Sequence, residues 1–165
     1  AKLGLTSAKQ TDINIIQSLE NNLQATETDM TIFFRTLSSF KKNQPEKGVE
    51  LIQDAFYTPD TIKGNVLNNW KQWFDDYAKR LEDETTSADE RQKQMNKINP
   101  KYVLRNYMAQ LAIDKADKGD VSLLEELYLM LKEPYLEQPK FEHWFAKRPE
   151  WARHKVGCSM LSCSS

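Results

Sequence analysis

The chain has 165 residues, with 23 basic against 24 acidic side chains and a formal charge of −1. That balance excludes a broad electrostatic surface for nucleic acid or anionic membrane, and no apolar run approaches the roughly 20 residues that a membrane span needs. A chain this long buries roughly 70% of its unfolded surface; five glycines and almost no strict apolar–polar alternation point to an all-α fold of about six or seven helices.

The first helix is expected over about Ser7 to Ala25, with Ile13, Ile16, Leu19 and Leu23 as its stripe and Ile15 beside it. Thr26 stands three residues before Asp29, a loose capping pattern for a second helix from about Glu27 to Phe40. Met30, Phe33, Phe34 and Leu37 fall there at core spacing. Phe33-Phe34-Arg35 carries too little basic charge for a nucleic-acid surface. After the polar turn Lys41 to Pro45, a third helix turns Val49, Leu51, Ile52, Ala55 and Phe56 inward until Thr58-Pro59-Asp60 breaks it. The fourth helix runs to about Asp83 with Ile62, Val66, Leu67, Trp70, Trp73, Phe74, Tyr77 and Leu81 on one stripe. Such a stripe reads as core before it reads as a ligand platform. Asp75 and Asp76 are neighbours, so on a helix they point about 100° apart and read as a solvated face. Ser87-Ala88-Asp89-Glu90 is a capping box. It opens a highly charged, exposed helix whose apolar residues are mainly Met95 and Ile98.

Asn99 reads as the N-cap, and Pro100 as the first residue, of the helix around which the chain is organised. Val103, Leu104, Tyr107, Met108 and Leu111 give it an apolar face. Arg105 and Asn106 stand in its second turn. A guanidinium there wants a nearby carboxylate or a helix C-terminus. Lys118-Gly119 ends this helix with a C′ glycine. Asp120 caps the next, which is packed by Leu123, Leu124, Leu127 and Leu131 and ended by Glu133-Pro134. No Gly-Lys-Ser/Thr signature accompanies Gly119-Asp120, so the joint is not a phosphate loop. Pro139 opens a short helix holding Phe141, Trp144 and Phe145. His143 and His154 lack a metal-like partner at i+4 and a nearby acid that makes a dyad, and read as surface or cap residues. Cys158 and Cys163 leave three readings open: free thiols, a mutual disulfide, or a zinc site needing both histidines. The expected organisation is a helical domain over 1–152 and a flexible cysteine-containing tail over 153–165. No catalytic, cofactor-binding or metal residue is assigned from these patterns.

Asn99 to Ile113, Asp29 to Leu37, Ala146 to Ala152 and the Ser162-Cys163-Ser164-Ser165 end resemble segments of the selenoprotein O (SelO/YdiU) family. The resemblance implies a protein-kinase-like parent that transfers AMP from ATP to protein hydroxyls with Mg²⁺ or Mn²⁺. It covers this chain but only the C-terminal third of a family member, so the chain is expected to be a piece of a longer protein. A kinase-like site needs a phosphate-holding lysine, an acidic partner and cation-binding Asn and Asp. By resemblance these lie upstream of Ala1; the chain has no Asp-Phe-Gly, no His-Arg-Asp and no glycine-rich loop. The structural motif Asn99, Pro100, Arg105 and Asn106 is carried over, and no catalytic residue is. Cys163 falls on the antepenultimate position, which is selenocysteine in many eukaryotic members and cysteine in most bacterial ones. That implies a redox-active thiol able to form a regulatory disulfide with the catalytic part; Cys158 is extra to that position. The implied partners are the upstream kinase-like part and protein substrates, with no nucleic acid and no membrane, and the expected location is the cytoplasm. The alternative is a stand-alone helical interaction module that binds near Trp144 and Trp151. A third reading is a small-molecule pocket lined by Trp70, Trp73 and Phe74.

Overall fold

A computed structural model of the protein describes residues 1–155 and 158. It divides into two compact units, Ala1–Asn99 and Pro100–Ser165. Among the described residues there are seven α-helices and five short 3₁₀ helices. No strand forms there beyond an isolated bridge between Thr28 and Phe56. The all-α expectation holds.

The first unit is built on α4 (Gly64–Glu82), against which α1 (Asp12–Ala25) and α3 (Gly48–Leu51) pack; α2 (Met30–Leu37) and α5 (Ala88–Ile98) complete it. Trp70, Trp73, Phe74 and Tyr77 of α4 are fully buried. Their rings meet each other and those of Phe33, Phe40 and Phe56, with Trp73 stacked on Tyr77 at 5.1 Å and edge-on to Phe74 at 4.9 Å. The aromatic stripe is therefore core, and the small-molecule pocket it suggested is filled by its own side chains. Gly48 is a packing requirement: a Cβ there would stand 2.2 Å from Phe74 Cγ. The single third helix expected over Val49 to Phe56 is instead a broken run. A 3₁₀ turn at Pro45–Lys47 leads into α3, and another follows at Gln53–Ala55.

Two helix starts also differ from the sequence reading. α1 begins at Asp12 because the segment before it is drawn into side-chain hydrogen bonds with α4. α2 is capped by Asp29 itself, whose Oδ1 accepts from Ile32 N at 3.0 Å. The Ser87 cap of α5 forms as read, its Oγ accepting from Glu90 N at 3.2 Å. α1 buries Ile15 and Leu19, while Ile13 (52% exposed) and Ile16 (41%) turn outward.

In the second unit α6 (Asn106–Ala116) packs on α7 (Ser122–Leu131), with 3₁₀ helices at Pro139–Trp144 and Glu150–Arg153. Tyr107, Met108, Leu127, Met130 and Phe141 form its core. The α6–α7 joint is a tight turn as expected, but Val121, not Asp120, stands at the N-cap of α7. Gly119 has φ +81°, the left-handed conformation glycine adopts without strain. Asp120 accepts from Ser122 N at 2.9 Å. The start of α6 is a correction. Asn99 is the C-cap of α5, in extended conformation, because the residue before proline is driven out of the helical region. Pro100 opens no helix: the N–H groups of Lys101 and Tyr102 both donate to the Pro134 carbonyl, at 2.8 and 3.1 Å. Helix resumes with Arg105 at the N-cap and Asn106 as first residue. Leu104, expected in the core, is 48% exposed.

Candidate functional site

In the first unit, Arg80 of α4 is buried with three acceptors. Nε donates to Asp12 Oδ1 at 2.5 Å, Nη1 to Glu84 Oε1 at 2.8 Å, and Nη2 to the Ser7 carbonyl at 2.7 Å. The other Glu84 oxygen accepts from the Thr6 N–H at 3.1 Å and from its hydroxyl. Burial alone would raise the Glu84 carboxyl, but Thr6 and Arg80 bring it down to about 2. The Arg80 hydrogen bond likewise holds Asp12 below the usual carboxylate range. This network fastens the N-terminal segment to α4.

Arg35 of α2 closes the C-terminus of α5. Its Nη1 donates to the carbonyls of Asn96 and Asn99 at 3.0 and 3.1 Å, where a cation meets the negative end of the helix dipole. Asn99 in turn donates from Nδ2 to the Lys2 carbonyl at 3.0 Å. Arg91 of α5 donates to the Phe40 carbonyl and to Tyr77 Oη, and Tyr77 donates to the Leu3 carbonyl at 2.7 Å. Burial pushes the Tyr77 phenol up to about 12.

In the second unit, Lys101 is buried and donates to Glu137 Oε2 at 2.5 Å and Glu142 Oε2 at 2.6 Å. Burial opposes its charge, but the two glutamates outweigh it and hold the ammonium above the usual lysine range. Arg105 and Asn106 are half-buried at the start of α6, where the Arg105 carbonyl accepts from the N–H of Met108 at 2.9 Å. His143 does have an acidic neighbour, which sequence distance concealed. Glu126 Oε1 lies 3.2 Å from His143 Nε2 and accepts from Trp144 Nε1 at 2.7 Å. Trp151 is 47% exposed and stands edge-on to Tyr107 at 6.1 Å. Lys155 pairs with Asp114 at 2.6 Å. Cys158 is a buried free thiol, 4% exposed, in the unit's apolar core. Cys163 lies outside the described residues.

Asn99 thus belongs to the first unit's framework, and Pro100, Arg105 and Asn106 to the second's. The polar residues that sequence reasoning missed are Arg35, Arg80 and Lys101. Arg80 carried a legible signal: it falls on the core stripe between Tyr77 and Leu81, with Glu84 at i+4. Nothing local marks Arg35 or Lys101, whose partners come from distant segments. Among the described residues, no cluster of side chains for ATP and a divalent cation is brought together. Of the buried carboxylates, Asp12 and Glu84 are engaged by Arg80 and Asp29 caps α2, and among the described residues no three His, Cys, Asp or Glu side chains are placed to hold a metal ion. No helix among them is long and apolar enough to cross a membrane.

A wide concavity lies in the first unit, a groove of about 820 Å³ between α1, α2 and the N-terminal segment. Its walls are mainly apolar, carrying Leu5, Ile13, Ile16, Leu23, Met30 and Phe34.

A family profile described as protein adenylyltransferase SelO matches residues 1–132. Over 165 residues the chain is 60% identical to a protein nucleotidyltransferase YdiU of Flavobacterium johnsoniae, a match covering 99% of the chain and 32% of that protein. A YdiU protein of Rhodopirellula baltica is 46% identical, over 99% of the chain and 33% of its own length. One of Aromatoleum aromaticum is 43% identical, over 100% and 31%. The chain spans about a third of the length of the curated relatives it matches. With the profile extending over most of its residues, the chain belongs to the SelO/YdiU protein adenylyltransferase family.

Proposed function

We propose that this chain is the non-catalytic helical part of a protein adenylyltransferase. The remaining polypeptide binds ATP with Mg²⁺ or Mn²⁺ and joins AMP to a Ser, Thr or Tyr hydroxyl. The hydroxyl oxygen bonds to the α-phosphorus, pyrophosphate leaves, and the hydroxyl proton is released. The observation that carries this reading is the alignment: the whole chain matches one third of proteins named for nucleotidyl transfer. The chain's own polar groups support a supporting role. Arg80, Arg35 and Lys101 are engaged in fastening segments to one another.

The test is transfer of label from α-labelled ATP. The full-length polypeptide is expected to modify protein, and the 165-residue chain alone is expected not to. Transfer by the chain alone overturns the reading. Thermal unfolding gives a second check. ATP at a hundred times its dissociation constant adds about 2.7 kcal/mol to a protein that binds it. That is roughly 5–10 °C for a domain of this size, and no shift is expected for this chain.

The redox role belongs to Cys163. Cys158 is enclosed in the second unit's core, where it serves packing. In the full-length protein, Cys163→Ser is expected to remove any oxidant dependence of AMP transfer, and Cys158→Ala to leave it in place. The opposite pattern assigns the role to Cys158.

A further inference from the structure

We propose that the groove between α1 and α2 is the seat of an amphipathic helix from the part of the family polypeptide that this chain does not contain. The inference rests on the functional reading above and names the surface through which this part joins the rest.

α1 carries an apolar arc wider than one neighbour needs. Ile15 is buried where α1 packs on α4, Leu19 is buried at the edge of the groove, and Ile13, Ile16 and Leu23 carry the arc on along the groove wall. A helix with one neighbour needs only the buried part of such an arc, so the exposed part calls for another partner. Met30 and Phe34 of α2, one turn apart, extend the same surface, and Leu5 closes its end. Ile13, Ile16 and Met30 are each more than a third exposed, and contiguous exposure of this kind marks an interaction site.

Several polar groups at the rim are already engaged. Asp12 is held by Arg80, Lys9 pairs with Asp83 at 2.7 Å, Thr6 bonds Glu84, and Lys2 lies 5.0 Å above the Phe34 ring. Small polar ligands are oriented by a few convergent polar groups; this groove offers an apolar trough instead. From Ile13 to Leu23 its length is roughly 15 Å at the helical rise, about three turns. That suits a helix with apolar anchors at i, i+3 or i+4, and i+7.

The source of that helix follows from length. The relatives are about three times as long as this chain, so about two thirds of each lies outside it. A covalently attached helix meets the groove at an effective concentration on the order of millimolar. A face of this modest size is then sufficient.

The experiment places a cysteine at Ile16 (Ile16→Cys) in the 165-residue chain and in the full-length polypeptide carrying it. Maleimide modification at that position is read by peptide mass spectrometry. Modification is expected to be at least tenfold slower in the full-length protein. Equal rates overturn the proposal. A rate that falls with rising concentration of the short chain assigns the groove to a second copy and also overturns it. As a second measurement, Ile16→Asp is expected to lower the thermal midpoint of the full-length protein by several degrees and to leave the short chain unchanged. Equal shifts in both overturn the proposal. A protected cysteine without AMP transfer keeps the docking inference and removes the enzymatic one; AMP transfer with an unprotected cysteine does the reverse.

Discussion

Glu84 and Asp12 are held ionised by one guanidinium. With Glu84 at about 2 in the folded chain against an ordinary 4.5, its contribution to stability is complete above about pH 4.5 and is lost as pH falls toward 2. Asp12, also lowered, acts in the same direction. The thermal midpoint is therefore expected to fall between about pH 5 and pH 2 in a melt series. Arg80→Met leaves both carboxylates buried without their counter-ion. It is expected to cost about 3–5 kcal/mol at neutral pH and to flatten the acid limb. The two tryptophans of α4 offer a finer comparison. Trp73 donates to the Ile15 carbonyl at 3.0 Å, whereas the buried Trp70 Nε1 has no acceptor. Trp73→Phe is expected to cost about 1 kcal/mol more than Trp70→Phe in urea unfolding. The sequence marked both rings as core by spacing alone; which indole is bonded depends on where α1 lies.

At the scale of elements, Gly48 decides whether α3 lies against α4. Its φ of −60° is ordinary, so space and not backbone freedom requires glycine. A methyl group meets the Phe74 ring, and Gly48→Ala is expected to cost about 1–3 kcal/mol by overpacking, read as a lower denaturant midpoint. α4, α5 and the α6–α7 joint were legible because their causes are local: a heavy apolar period, a Ser-x-x-Glu cap, and a glycine followed by aspartate. α1, α3 and α6 were misjudged at their ends because those causes are remote. Arg80 claims the Ser7 carbonyl, and Pro134 accepts the N–H groups that would have opened a helix at Pro100. Asn99-Pro100 has the local marks of a helix start, but the distant Pro134 carbonyl takes the N–H groups that follow it.

At the scale of the whole molecule, the resemblance gave the family, which no composition or period could have supplied. The two compact units were not legible, because their division falls between Asn99 and Pro100, where the sequence reads as the N-cap and first residue of the organising helix. Nor was the outward stripe of α1: Ile13, Ile16 and Leu23 fit the helical period as well as a core face does, and only the packing of Ile15 and Leu19 reveals which side turns in. The aromatic residues, finally, are apportioned in a way that makes the protein its own optical probe. Trp70 and Trp73 of the first unit are sealed from water, while Trp144 is half-covered and Trp151 exposed in the second. Iodide is expected to quench the red side of the native emission, from Trp151, and to spare the blue side, from Trp70 and Trp73. Loss of that blue component, and with it of the contrast in quenching, then times the opening of residues 1–99 during denaturation.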